Sequence, residues 1–476
     1  MNGARDMSKE GPERTSSRAT LMYAAMVAGA VALFVIIKTI GRFLSAPEQA
    51  GPVRFGRLAN QASMSELAHV LMALVVIIVL ARLLGAAFKR VHQPAVIGEV
   101  IAGIALGPSL LGRIAPAASK FILPGTVAPY LSMISSVGVI LYMFLVGMEL
   151  DTQLLRRKTH ASVAISHASI ITPFLLGSVL ALWLYPRFSS RDVPFTVFAM
   201  FMGVSMSVTA FPVLARILTD RGMTKTKLGA IALACAAVDD VTAWCLFALV
   251  VSIAAAKPGR VLLTVGLTAF FIFCIFKFVQ PAMKWLVQKR AREKKTTQGT
   301  MVIVFAALLL SALATDAIGI HALFGAFLLG AVIPHDSALA RDVKAKINDV
   351  VLVLLLPAFF AFTGMRTQIG LVKGTSEWLA CGLIILVASL GKFGGSSVAA
   401  RITGLSWRQS ASLGILMNTR GLMELIVLNV ALDLGALQPT LFTMLVLMAV
   451  VTTIATTPVL HALEGETEEE AELQHA

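Results

Sequence analysis

This sequence is short of charge. Only 14% of its 476 residues are charged, and 26 of them are acidic, whereas an average soluble domain carries about 25% charge. No polar stretch between apolar runs is long enough for a soluble domain, which argues against a membrane-tethered sensor. Cysteine is scarce as well. Cys235, Cys245, Cys274 and Cys381 all fall in apolar runs without pairing or metal-ligand spacing; they are expected to be small buried hydrophobes, not a disulfide framework or a metal centre. The eight histidines are scattered, so no metal site and no cofactor site is read. The formal charge of +14 suggests nucleic acid or acidic lipid as a partner only until the basic residues are located. They fall mostly in short loops, which sets membrane orientation and argues against nucleic acid.

What is abundant is apolar sequence, at 57% of residues, so the chain reads as an all-α polytopic membrane protein. A span needs about 20 apolar residues. Fourteen segments are read, near 21 to 44, 65 to 88, 95 to 112, 127 to 148, 161 to 184, 193 to 217, 228 to 255, 261 to 286, 300 to 318, 320 to 334, 347 to 365, 376 to 402, 408 to 434 and 439 to 462. The first run is too long for a signal-peptide core and lacks a cleavage site, so it is read as a retained helix. With the N-terminus inside, the cytoplasmic segments carry more than twice as many Lys and Arg as the opposite loops. Both termini are therefore placed in the cytoplasm and the protein in the cell (inner) membrane. The domain reading is a tail at 1–20, an extra helix and loop at 21–60, a transmembrane domain at 61–463 and an acidic tail at 464–476.

The two halves echo each other. The stretch from Gly98 to Gly103, closed by Pro108, is repeated from Gly325 to Gly330, closed by Pro334. Phe144 to Met148, with Gly147, is repeated from Ala361 to Met365, with Gly364. Six spans, one linking span and six more make an odd-numbered shift, so the second half is inverted. That 6+1+6 plan of inverted repeats places a site near the midplane. It also expects a broken helix in each half: Ser205 to Pro212 in the sixth span, where Pro212 removes a backbone donor, and Met417 to Gly421 in the thirteenth. The two broken helices are expected to cross.

Asp239 and Asp240 stand side by side in the apolar run from 228 to 254. A carboxylate in hydrocarbon costs about 2.5 to 3.5 kcal/mol on insertion scales, so the pair should face a polar cavity and serve an ion or a proton. Adjacent helical residues point about 100° apart, which suggests two roles. Counting rise from the cytoplasmic ends places Asp240, Thr209, Lys392 and Arg420 about 13 to 18 Å deep, all near the middle of a ~30 Å core. Lys392 is too deep to snorkel and needs a carboxylate partner. Arg420 and Glu424, one turn apart, should neutralise each other or the half-helix ends. Glu99 reads as an interfacial acid outside the site.

These residues resemble the second monovalent cation:proton antiporter family, which holds the Nap-type sodium/proton exchangers, the plant cation/proton exchangers and the Kef-type potassium efflux systems. The likeness covers about residues 65 to 462. It rests on the glycines from Gly98 to Gly112, on Leu145 to Asp151, on Thr209 to Arg216, on the Asp239-Asp240 pair, on Gly391-Lys392 and on Asn418 to Leu425. It implies that Asp240 binds cation and proton in turn, that Asp239 is the paired acid able to bridge to Lys392, and that Thr209 lies at the helix crossing. It further implies a homodimer in which a mobile core slides against a fixed dimerisation domain, and electrogenic exchange by the double aspartate. Two features depart from the family pattern: no nucleotide-binding domain follows residue 462, and the first span is extra.

The expected function is exchange of Na+, K+ or Li+ for H+ by competition at Asp240, with oxygen ligands from Asp240, Asp239, Thr209 and freed carbonyls. Burial disfavours the charged form of an ionisable group, which lets a proton and a cation compete near neutral pH. Membrane lipid and a second copy of the chain are the other partners expected. A sodium-coupled solute symporter of similar design is the alternative, weakened because the acid pair and Lys392 leave no organic-substrate pocket. A channel would need a continuous polar pathway, which the single mid-membrane cluster does not provide. No covalent chemistry is read, so the protein is not expected to be an enzyme.

Overall fold

The computed structural model describes residues 12–41, 66–91, 93–149, 160–223, 226–255, 261–290, 298–334 and 336–464. Among them the regular structure is helical, with no strand. Apart from two short helices at Leu111–Ile114 and Pro116–Ile122, the α-helices are α1 (Pro12–Gly41), α2 (Glu66–Arg90), α3 (Ala95–Leu106), α4 (Ala128–Glu149), α5 (His160–Phe188), α6 (Phe195–Ser207), α7 (Phe211–Asp220), α8 (Lys227–Ala255), α9 (Val261–Cys274), α10 (Gln280–Arg290), α11 (Gln298–Ile318), α12 (Ala322–Val332), α13 (Ala338–Val350), α14 (Leu356–Arg366), α15 (Gly374–Ser389), α16 (Gly395–Ile402), α17 (Trp407–Met417), α18 (Leu422–Asp433) and α19 (Pro439–Glu464). Among the described residues, eleven spans are long and apolar enough to cross a membrane, and the bent pair α17 and α18 makes a twelfth.

The helix ends correct several of the expected spans. α12 has 11 residues, about 16 Å of helix, too short to cross unaided. α1 runs unbroken from Pro12 to Gly41, so its helical backbone begins before the expected start at 21. The expected span at 347 to 365 belongs to a longer one, Ala338–Leu371, that passes through a π-helical turn at Val351–Leu355. Cys245 is exposed on α8 and not buried as its apolar run suggested, while Cys235 and Cys381 are buried. The acidic stretch from residue 465 onward and the basic trio Arg156, Arg157 and Lys158 lie outside the described residues.

The helices sort into two bundles. α2, α3, α4, α11, α12 and α14 pack on one another, and α5 to α8 pack with α15 to α19. α1 lies on α5 and α6 of the second bundle, with Phe34 against Phe174 at 5.6 Å between centroids. α9 and α10, joined by a π-helical turn at Ile275–Val279, run between α8 and α11.

Glycine sets the closest approaches in the first bundle. A Cβ on Gly103 of α3 would come within 2.4 Å of the Phe360 carbonyl oxygen of α14, and one on Gly364 of α14 within 2.2 Å of the Gly103 carbonyl carbon. A Cβ on Gly147 of α4 would come within 2.2 Å of the Phe327 oxygen of α12, and one on Gly330 of α12 within 2.3 Å of the Phe144 oxygen. Small residues let backbones meet where hydrophobic burial gives no drive between helices. These four are among the six glycines of the two sequence echoes, and Gly103 and Gly330 of the first echo each pack against the other half's glycine of the second.

Candidate ion-binding site

The sixth span breaks over Val208, Thr209 and Ala210, between α6 and α7. Pro212 is not in the break itself. It occupies the first turn of α7, where its fixed φ suits a helix start and its missing N–H leaves no bond unmade. The thirteenth span breaks over Asn418 to Gly421, with a 45° bend between α17 and α18. The two breaks touch: the Ala210 N–H donates to the Thr419 oxygen at 3.0 Å. A Cβ on Gly421 would come within 2.8 Å of Val213 and 3.1 Å of Ala210, so glycine is what allows the crossing to be this close.

A helix that stops in mid-membrane leaves its last carbonyls without partners. At the end of α6 two cations supply them. Arg420 donates from Nη1 to the Ser205 oxygen and from Nη2 to the Met206 oxygen, both at 2.8 Å. Lys392 donates to the Ser207 oxygen at 2.5 Å. Positive charge at a helix C-terminus also opposes the negative end of its dipole. Arg420 Nη1 further meets Glu424 Oε2 at 3.1 Å, and its own backbone N–H and oxygen both engage Thr453 Oγ1.

Asp239 and Asp240, both on α8, have opposite environments. Asp239 is fully buried and saturated. It accepts from Ser166 at 2.5 Å, Ser169 at 2.6 Å, Thr209 at 2.8 Å and Lys392 at 3.1 Å. Asp240 is 2% exposed, takes a backbone hydrogen bond from Phe211, and has no partner for Oδ1. Phe211 is the first residue of α7, so Asp240 stands at the positive end of a half-helix, where a carboxylate is stabilised.

Sequence reasoning grouped Asp239, Asp240 and Thr209 as oxygen ligands for one ion. The structure brings Asp239, Thr209 and Lys392 into direct contact, but Thr209 Oγ1 donates to Asp239 and to the Met417 oxygen at 3.2 Å. Of the two aspartates, Asp240 alone keeps an oxygen uncommitted, and the Thr209 hydroxyl, which spends only its hydrogen, keeps its lone pairs. Ser166 and Ser169 were missed; their signal was a polar stripe at Ser162, Ser166 and Ser169 in the fifth span, one face of a helix at i, i+4 and i+7. Also missed was a π-helical turn at Leu390–Gly394 that carries Lys392. Gly391 and Gly395 flank it against Pro173 and Thr172 of α5. That close approach delivers the ammonium to Ser169 at 2.9 Å. Glu99, left out of the site, lies on α3 in the other bundle.

The sodium/hydrogen exchanger transmembrane family matches residues 71–463. The Na+/H+ antiporter NhaS4 of Synechocystis is 43% identical over 392 residues, 82% of this chain and 95% of that protein. Cation/H+ antiporter 20 of Arabidopsis thaliana is 39% identical over 81% of this chain, and K+/H+ antiporter 1 of Saccharomyces cerevisiae 33% identical over 80%. The match spans about half the length of those two, 47% and 45% respectively. The fold is that of the sodium proton antiporter MjNhaP1 from Methanocaldococcus jannaschii, with a TM-score of 0.63 at 14% identity over 84% of this chain and all of that one. With the family match covering most of the chain and extending to both broken spans and their buried charges, this multi-pass membrane protein belongs to the sodium/hydrogen exchanger family, a family of antiporters and not of enzymes.

Proposed function

We propose that the chain exchanges a monovalent cation, Na+ or K+, for protons by alternating access at Asp240. The observation that carries this is the contrast between the two carboxylates: Asp239 is spent on four donors, while Asp240 keeps one buried oxygen free beside the α7 N-terminus. A carboxylate held so has one negative charge to satisfy, and a proton or a cation satisfies it, not both. That competition is the coupling. The Asn418 Oδ1, also buried without a partner, is a further hard oxygen at the crossing. Lys392 holds Asp239 while the site awaits a cation, and Arg420 with Glu424 keeps the α6 carbonyls and the α18 start neutral.

The reciprocal packing of Gly103 with Gly364 and of Gly330 with Gly147 supports an inverted repeat, because a two-fold exchange of the halves turns one contact into the other. The bundle holding the crossing is then the mobile element and the bundle of α2, α3, α4, α11, α12 and α14 the stationary one, through which two copies pair. The reading places both termini in the cytoplasm and the protein in the cell membrane.

The test is reconstitution in liposomes with a pH-sensitive dye and separate additions of Na+, K+ and Li+. Cation-driven proton release is expected for at least one of them and none from Asp240→Asn. A wild-type protein that moves no protons with any of the three overturns the reading.

A further inference from the structure

The two bundles are joined by polar contacts that sit almost wholly on one side. Near the start of α19, Arg366 of α14 donates from Nη1 to Asn429 Oδ1 of α18 at 3.0 Å and from Nη2 to Asp433 Oδ1 at 2.5 Å. One turn back on α14, Thr363 Oγ1 accepts from Asn429 Nδ2 at 2.8 Å. The Gln368 N–H reaches Thr443, four residues into α19, at 3.1 Å. Towards the other end of α19 the described contact is a single one, Gln93 Nε2 to the Ile454 oxygen at 3.2 Å.

Beneath the polar group lies an aromatic seam between the same bundles. Trp244, one turn along α8 from Asp240, stacks on Phe327 of α12 at 5.9 Å and 29°, and meets Phe324 edge-on at 5.5 Å. Phe247 lies 5.7 Å from Phe324. The ring seam thus begins one turn along α8 from Asp240.

We propose that Thr363, Arg366 and Asn429 form a lock that holds this side shut, opposite the end of α19, and that it must part in every transport cycle. Asn429 is the central member. It is buried, and its amide meets Thr363 with its nitrogen and Arg366 with its oxygen, so both polar ends of the amide are paired across the bundle boundary. A buried amide that loses its partners costs more than the bonds themselves contribute, which makes such a contact a two-position latch. The Arg366 to Asp433 pair is the outer member; Asp433 is 60% exposed, and an exposed pair of this kind contributes little. Thr363 and Asn429 are not ligands of the ion site, so the lock acts on the population of open states and not on the ion itself.

The inference rests on the exchange reading. It is tested in the full chain with its four cysteines replaced, carrying Thr363→Cys and Asn429→Cys together, reconstituted with Na+ or K+ and a pH dye. Oxidation is expected to abolish exchange and a reductant to restore it, with each single-cysteine variant unaffected by the oxidant. Cross-linked protein that still exchanges overturns the lock, as does failure of the pair to cross-link. A reduced protein that never exchanges, like the parent, overturns instead the exchange reading. As a second measure, Arg366→Gln should change the ratio of the KM values from the two membrane sides by about tenfold, the worth of one charge-assisted hydrogen bond. KM should rise on the side of the α19 C-terminus and fall on the lock side. An unchanged ratio in a folded variant rejects the lock.

Discussion

The Lys392 ammonium lies 3.1 Å from Asp239 Oδ2, and both side chains are wholly buried. Desolvating two charges costs several kcal/mol per ion unless hydrogen bonds offset it. Here Ser166, Ser169 and Thr209 complete the carboxylate and the Ser207 carbonyl and Ser169 complete the ammonium. The pair is therefore well satisfied without any ion. Asp240, next in sequence, is not: its Oδ1 is buried without a partner.

Asp240→Asn is expected to abolish cation-driven proton release in proteoliposomes. The amide neither titrates nor carries charge to hold a cation, yet its size preserves the Phe211 contact. Residual exchange above a few per cent of wild type in a properly folded variant would sink the assignment.

Arg420→Ala should lower the melting temperature in detergent. Its guanidinium serves the Ser205 and Met206 oxygens and Glu424 at once; removing it orphans two buried carbonyls and a buried acid, at a cost of about 3 to 5 kcal/mol. Arg420→Lys should recover only part, because one ammonium cannot reproduce the planar fork. Equal melting temperatures for Ala and wild type would show that these contacts carry no stability.

Gly330→Val and Gly147→Val should each destabilise severely, since added carbon would run into backbone 2.2 to 2.3 Å away with no flexible side chain to yield. Gly266→Ala is the control: nothing lies within 4 Å of its added Cβ, and a better helix former there should be neutral or slightly favourable. Detergent melting curves of the three variants decide the matter. Comparable behaviour of all three would contradict the close packing of α4 on α12.

The spans were legible because length and hydropathy alone decide what crosses a membrane, and the breaks were legible because Pro212, Gly421 and a row of hydroxyls interrupt apolar runs. The adjacent aspartates announced themselves through their cost in lipid. Which one keeps a free oxygen was not legible, since that depends on the face each presents and on what α5 brings opposite. Ser166 and Ser169 resemble any hydroxyls in a membrane helix until Gly391 of the π-helical turn and Gly395 of α16 are seen to press on α5. The π-helical turn under Lys392 likewise has no signature beyond those glycines, because it inserts no unusual residue. The short α12 was flagged by its length, yet only its packing on Gly147 explains why 11 residues suffice there.

On the proposed reading, an arriving cation would displace the proton of Asp240 and compete for Asp239, and Lys392 would lose its partner in a place where an unpaired ammonium is costly. Release of the Lys392 proton as well would send two protons out for each cation and move one net charge per cycle. A potential of 100 mV would then add about 2.3 kcal/mol to the driving force. Exchange should accordingly respond to an imposed potential set with potassium and valinomycin when Na+ is the transported ion, and Lys392→Gln should weaken or remove that response while sparing some transport. The pH dependence gives a second reading with a definite sign. If protons compete with the cation as proposed, the apparent KM should fall as pH rises: by up to about tenfold per pH unit if one proton is displaced, and by up to about a hundredfold if two are. Lys392→Gln should move the slope from the second value towards the first. Wild-type exchange that ignores the imposed potential and shows only the shallow slope would reject two-proton release and leave Lys392 as a structural counter-ion to Asp239.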